Sequence, residues 1–328
     1  QARDLPLPPM MEKDTAGVSI APGAVSTLPR LCPVLVPEEV MAAIPSSAKH
    51  RPLATFYLLT FALSWIIWIT MAATSLGIDT APGRALNVVA GYGPTVAALV
   101  LTALYHREAG LRKMLGRLAH WRVSPVWFIV ALFMLPATML LAIAIMAATG
   151  ERWPPMAAPG PLAALMATEF VRVLFLGGPL GEELGWRGYA LPALLARRSP
   201  FSAGVLLGIV WGLWHAPLYF VPGTGQFEFA QGSGSFLVPF LGFLTWTIGL
   251  SILYTWLLLN TGGSLLIVVL FHTSTNLASF LPFALGMPGS AAPLLNVLLT
   301  WALALVVSRA AVFRRPSPER EFGDAAIS

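Results

Sequence analysis

Seven polar side chains stand in stretches otherwise dominated by Ala, Leu, Val, Phe and Trp: Glu169, Arg172, Glu182, Glu183, His215, His272 and Asn276. An eighth, Arg187, follows Glu183 by four residues. On a helix that spacing puts acid and base on one face in the favourable order, so Glu183 reads as neutralised by Arg187. Glu182 is turned about 100° from Glu183 on the same helix. Four residues beyond it stands Trp186 rather than a base, which leaves a carboxylate suited to taking a proton. His272 and Asn276 are also four apart and face one point, and His215 has Trp211 one turn back on its own face. Glu169 and Arg172, three apart, read as satisfying each other. Carboxylate, imidazole and amide are the groups with which an activated water can hydrolyse a peptide bond. The chain has no G-x-S-x-G turn and no Ser–Lys pair in an apolar stretch, and its single cysteine, Cys32, lies far along the chain.

These groups are informative because of where they sit. The 328 residues are 56% hydrophobic and 11% charged, with a mean hydropathy of +0.74. A soluble domain carries about 25% charged residues, so a soluble enzyme and a disordered chain are both excluded. The net charge of +5 marks membrane topology here rather than a nucleic-acid partner. One cysteine also excludes a disulfide framework and a Cys-based zinc site within the chain. Apolar stretches of about 20 residues, the length needed to cross about 30 Å of hydrocarbon, recur at 53–76, 85–105, 125–148, 162–184, 201–220, 236–259, 264–285 and 291–313. With no β-barrel alternation, the expected fold is an all-α membrane protein, a bundle of about eight transmembrane helices. Pro94, Pro136, Pro179, Pro217 and Pro282 fall inside these stretches and predict kinks. Gly177, Gly181 and Gly185 recur every four residues and predict close helix packing.

Residues 1–52 read as a Pro-rich, disordered tail, with eight prolines among the first fifty, and 314–328 as a C-terminal tail. Orientation follows from the bases in alternate connections. Arg107, Arg112, Lys113, Arg117, Arg122, Arg187, Arg197, Arg198, Arg314, Arg315 and Arg320 fall on one side, against Arg84 and Arg152 on the other. Eleven against two predicts both termini in the cytoplasm. Residues 106–122 read either as a short interfacial helix, with Leu111, Met114, Leu115 and Leu118 on one side, or as a basic loop that fixes topology.

Glu182-Glu183-Leu184-Gly185-Trp186-Arg187 resembles the EExxxR motif of the CAAX-protease and bacteriocin-processing (CPBP) family of intramembrane proteases. That family includes the Rce1-like type II prenyl-protein endopeptidases, also grouped as abortive-infection proteins. Trp211 to His215 resembles its FxxxH motif, with tryptophan in place of phenylalanine, and His272 to Asn276 its HxxxN motif. The resemblance covers about 53–313, which it makes an intramembrane protease domain. It implies a hydrolase in which Glu182, Glu183, His215, His272 and Asn276 are catalytic, with Arg187 and Trp211 acting through them. In the expected scheme Glu182, helped by His215, deprotonates a water, His272 and Asn276 stabilise the oxyanion, and the Glu183–Arg187 pair is structural.

No cofactor is favoured. The alternative is zinc held by Glu182, His215 and His272, a ligand set of known type, although HExxH is absent. The implied partners are a membrane-embedded or lipidated peptide or protein substrate and the lipid bilayer, with no nucleic acid. Eukaryotic relatives trim prenylated proteins, whereas many bacterial relatives are linked to peptide or bacteriocin processing. The Ala/Arg/Gly/Pro/Trp-rich composition points to a GC-rich bacterium, where a prenylated CAAX substrate is less expected, and so to a multi-pass protein of a bacterial inner membrane. A transporter or scaffold retaining the fold is the rival class, since intramembrane Glu/His chains also relay protons. Against it, no halves-related repeat of the transporter kind is visible.

Overall fold

The computed structural model describes residues 51–150, 159–285, 287 and 291–313. All but the last two residues of the N-terminal tail, the C-terminal tail, Arg152, Arg314, Arg315 and Arg320 lie outside these. Among the described residues every regular element is helical. The elements in chain order are α1 (Arg51–Ala73), α2 (Ala81–Gly91), α3 (Gly93–Gly116), α4 (Pro125–Ala148), α5 (Pro159–Leu176) and α6 (Pro179–Glu183). A π-helical segment (Leu184–Ala190) leads on to α7 (Leu191–Leu195), α8 (Pro200–Trp214), α9 (Gly225–Ser233), α10 (Leu237–Asn260), α11 (Leu265–Ala284) and α12 (Ala292–Val307).

The local sequence accounts for where these helices start. Proline stands in the first turn of α2, α3, α4, α6, α7, α8 and α12, where its missing N–H costs nothing and its fixed φ favours the helix. Thr80, Ser199, Thr224 and Ser264 cap α2, α8, α9 and α11 by accepting a backbone N–H on their side chains.

Among the described residues, six helical stretches are long and apolar enough to cross a membrane. The expected span at 85–105 is a bent pair, α2 and α3, meeting at 41° beside Gly93–Pro94. The last, α12, has 16 residues, which at 1.5 Å each cover about 24 Å, short of the hydrocarbon thickness. The all-α membrane bundle therefore stands, with one expected span bent and one short. The protein is an integral membrane protein.

Of the charges expected to mark topology, one is inside and another is half-buried and tied to backbone carbonyls. Arg187 belongs to the π segment and is completely buried. Arg117 donates from Nε to the Gly263 carbonyl at 2.8 Å, from Nη1 to Gly188 at 3.1 Å and from Nη2 to Arg187 at 3.3 Å. It thus pins the π segment to the turn before α11. The 106–122 stretch is helical up to Gly116: after a break at Arg107, where φ is +55°, α3 resumes with Met114 buried and Leu111 half-buried. Leu115 is turned outward instead.

Glycine governs the helix seams around the centre. A Cβ at Gly185 would stand 2.6 Å from the Pro94 backbone, and one at Gly208 2.6 Å from Ile248 Cα. Gly181 likewise abuts Gly91. The π segment therefore lies against the start of α3, and α8 against α10, at distances only a missing side chain permits. Gly177 is different, for it ends α5 rather than packing on α3. Polar ties across helices hold the rest: Trp65 Nε1 donates to the Trp214 carbonyl at 2.9 Å and Ser274 Oγ to that of Ala131 at 2.5 Å.

Candidate active site

The break between α5 and α6 builds the site. Gly178 has φ +111°, a backbone conformation that a side chain would strain, and Pro179 then restarts the helix. The chain reaches Glu182 and Glu183 one turn later, and both are buried, at 5% and 0% exposure. A π turn follows, a feature that recurs at functional sites.

Glu183 is the anchor. Its Oε1 accepts from Arg187 Nη1 at 2.8 Å and from His272 Nδ1 at 2.7 Å. The spacing-based pairing of Glu183 with Arg187 is therefore present, and α11 adds a third member. The guanidinium carbon lies 4.4 Å from the Trp211 ring centroid and 4.1 Å from that of Tyr254, so two aromatic faces clamp it. With its faces covered, its Nε and Nη2 have no hydrogen-bond partner, nor has Glu183 Oε2.

The other groups are each held by one atom and free at another. Glu182 Oε2 accepts from Trp211 Nε1 at 2.7 Å. It is not the unattached carboxylate its spacing suggests. Its Oε1 faces Gly178, where an added Cβ would collide with it and stand 4.0 Å from His272 Nε2. Both atoms thus face Gly178, and Oε1 uses room that a side chain at residue 178 would take. A carboxylate only accepts, so His272 carries its hydrogen on Nδ1 and presents a lone pair at Nε2 when neutral. His215 does the same: its Nδ1 lies 2.8 Å from the Trp211 carbonyl, which also only accepts. His215 is buried against the rings of Trp214 and Phe243, at 4.7 and 5.0 Å.

Asn276, one turn beyond His272, reaches the chain beside Gly178. It is half-buried and donates from Nδ2 to the Gly177 carbonyl at 3.0 Å, leaving one amide hydrogen uncommitted. Glu169 and Arg172 pair at 2.7 Å on α5, as their spacing predicts. Two contributors carried no motif. Tyr254 is one apolar-helix aromatic among many, whereas Gly177-Gly178-Pro179 is a readable helix break.

The donor types suit zinc, since two imidazole lone pairs and a carboxylate are present. Yet among the described residues no three His, Cys, Asp or Glu side chains are grouped so as to hold one ion.

A profile of type II CAAX prenyl endopeptidases, Rce1-like, matches residues 164–278. That interval contains the whole site. The protein named CAAX prenyl protease 2 from Methanococcus maripaludis is 32% identical over 236 residues, covering 71% of this chain and 85% of that one. The chain belongs to the Rce1-like family. It is a CAAX-type intramembrane protease, a hydrolase, in agreement with the motif resemblance. Within this Rce1-like site a side chain added at Gly178 would push against Glu182 Oε1. Gly178→Ala is expected to cut turnover at least about 100-fold, the penalty of a reacting group misplaced by about 1 Å. The check is activity of a variant whose gel-filtration profile matches wild type; a normal rate would mean that the reaction lies elsewhere.

Proposed function

We propose that the protein cleaves a peptide bond of a lipidated, membrane-associated peptide or protein, using a water activated by Glu182. The observation that carries this reading is the convergence of Glu182 Oε1 and His272 Nε2 over Gly178, with the rest of both side chains held. A water there donates one hydrogen to each. Its oxygen attacks the substrate carbonyl carbon as Glu182 takes the proton, and the oxyanion accepts the remaining amide hydrogen of Asn276. Glu182 then passes the proton to the leaving nitrogen as the C–N bond breaks, so one water yields two peptides. His272, expected from spacing as an oxyanion donor, is assigned here to holding the water, because its Nδ1 hydrogen is committed to Glu183. His215, expected as the helper of Glu182, is a buried acceptor at Nε2 and takes no proton in this scheme. Glu183 and Arg187 hold His272 and Trp211 in place.

The substrate class rests on the matched family and on the name of the Methanococcus maripaludis relative, both of which specify CAAX prenyl proteolysis. A prenylated C-terminus is therefore the first substrate to try, ahead of a bacteriocin-like peptide. The proposed location is a cytoplasmic membrane with both termini inside; the bases exposed in alternate connections, such as Arg112, Arg122 and Arg198, support it. Hydrolysis is proposed to need no metal. Activity on a farnesylated peptide should survive exhaustive chelation, and elemental analysis should find no stoichiometric zinc. Zinc whose removal abolishes cleavage and whose return restores it would recast Glu182, His215 and His272 as ligands.

A further inference from the structure

One indole touches four members of the site. Trp211, 3% exposed, donates from Nε1 to Glu182 Oε2 at 2.7 Å. Its ring carries the Arg187 guanidinium at 4.4 Å, its carbonyl holds the Nδ1 hydrogen of His215, and its ring meets that of His272 edge-on at 5.6 Å. The proton transfers above give it no chemical task. An indole N–H is a donor only, and a bond from it to a carboxylate is charge-assisted and directional. The terminal torsion of glutamate is broad and roughly two-fold, so nothing intrinsic decides how its carboxylate is turned. The indole decides it. The ring itself is fixed on one side by Arg187, which Glu183 and the Tyr254 ring hold in turn.

We propose that Trp211 is a positioning residue, whose indole N–H locks Glu182 so that Oε1 faces the water space over Gly178. The inference rests on the proposed function, because the aim of Oε1 matters only if Glu182 is the base. Phenylalanine would fill most of the space and stack on Arg187, but would leave Glu182 Oε2 without its donor and Oε1 without a fixed direction.

The test separates the hydrogen bond from the packing. Trp211 is replaced by benzothienylalanine, in which sulfur stands for the N–H within a ring of nearly the same shape, alongside Trp211→Phe. Both are assayed in liposomes on a farnesylated peptide. The isostere is expected to lower kcat about 10- to 100-fold with KM within about twofold. An isostere with unchanged kcat, beside a crippled Trp211→Phe, would make Trp211 a packing residue and overturn the lock. A raised KM with unchanged kcat would overturn it too. A second readout does not depend on turnover: the ultraviolet resonance Raman difference between wild type and isostere isolates the Trp211 indole. Its N–H should be strongly hydrogen-bonded and should become free in Glu182→Ala. A wild-type protein that cleaves nothing counts against the proposed function, while the Raman band still decides the lock.

Discussion

Glu183→Gln is expected to unfold the protein at a markedly lower temperature than wild type. The substitution preserves shape but removes the counter-charge from Arg187, whose side chain is 0% exposed and whose Nε and Nη2 already lack partners. Removing one member of a buried pair typically costs about 3–5 kcal/mol, because an uncompensated charge is left behind. His272 also loses the charge facing its Nδ1. Replacing both partners by apolar residues of similar volume is often neutral or stabilising. The double variant Glu183→Leu with Arg187→Met should therefore recover much of the loss, with its methionine between the Trp211 and Tyr254 rings. Thermal midpoints in one detergent, measured for all three proteins, check the pattern. A Glu183→Gln protein as stable as wild type but inactive would transfer the catalytic role from Glu182 to Glu183.

Glu182→Gln should do the opposite, keeping the fold and losing the reaction. The amide oxygen can still accept from Trp211 Nε1, so the contact that holds residue 182 survives. What disappears is a group able to take a proton, and general-base catalysis of this kind contributes about 10²–10⁴-fold. Rates at saturating substrate, on protein with wild-type yield and midpoint, should fall by at least the lower figure. Residual activity within a few-fold of wild type would remove Glu182 from the mechanism.

The pairing of Glu183 with Arg187 is legible in the sequence, and its physical basis explains where legibility ends. Glu183 and Arg187 lie four apart, and that local relation survives even though the segment winds as a π-helix from Leu184 on. The tie from His272 to the same carboxylate crosses 89 residues, and no helical period encodes it. Trp211 was readable as an aromatic one turn from His215, but its donation to Glu182 depends on how α8 sits against α6. Asn276 was paired with His272 by spacing, whereas its partner is the Gly177 carbonyl. That carbonyl is free to accept because the helix stops at Gly177–Gly178. Arg187 reads as a topology charge because charge alone does not reveal its burial. The bundle itself was plain from apolar length, apart from the bend at Gly93 and the short final helix.

The claim that Glu182 directs a water straight onto the substrate carbonyl is tested most directly by oxygen labelling. Wild-type protein in excess over a farnesylated peptide is allowed a single turnover in water enriched in oxygen-18. Mass spectrometry then compares the new C-terminal carboxylate with the protein segment that contains Glu182. Direct attack predicts one heavy oxygen in the product and none in the protein. A product without label, with the heavy oxygen in the Glu182 carboxylate, would mean that this glutamate attacks the substrate itself and would contradict the account.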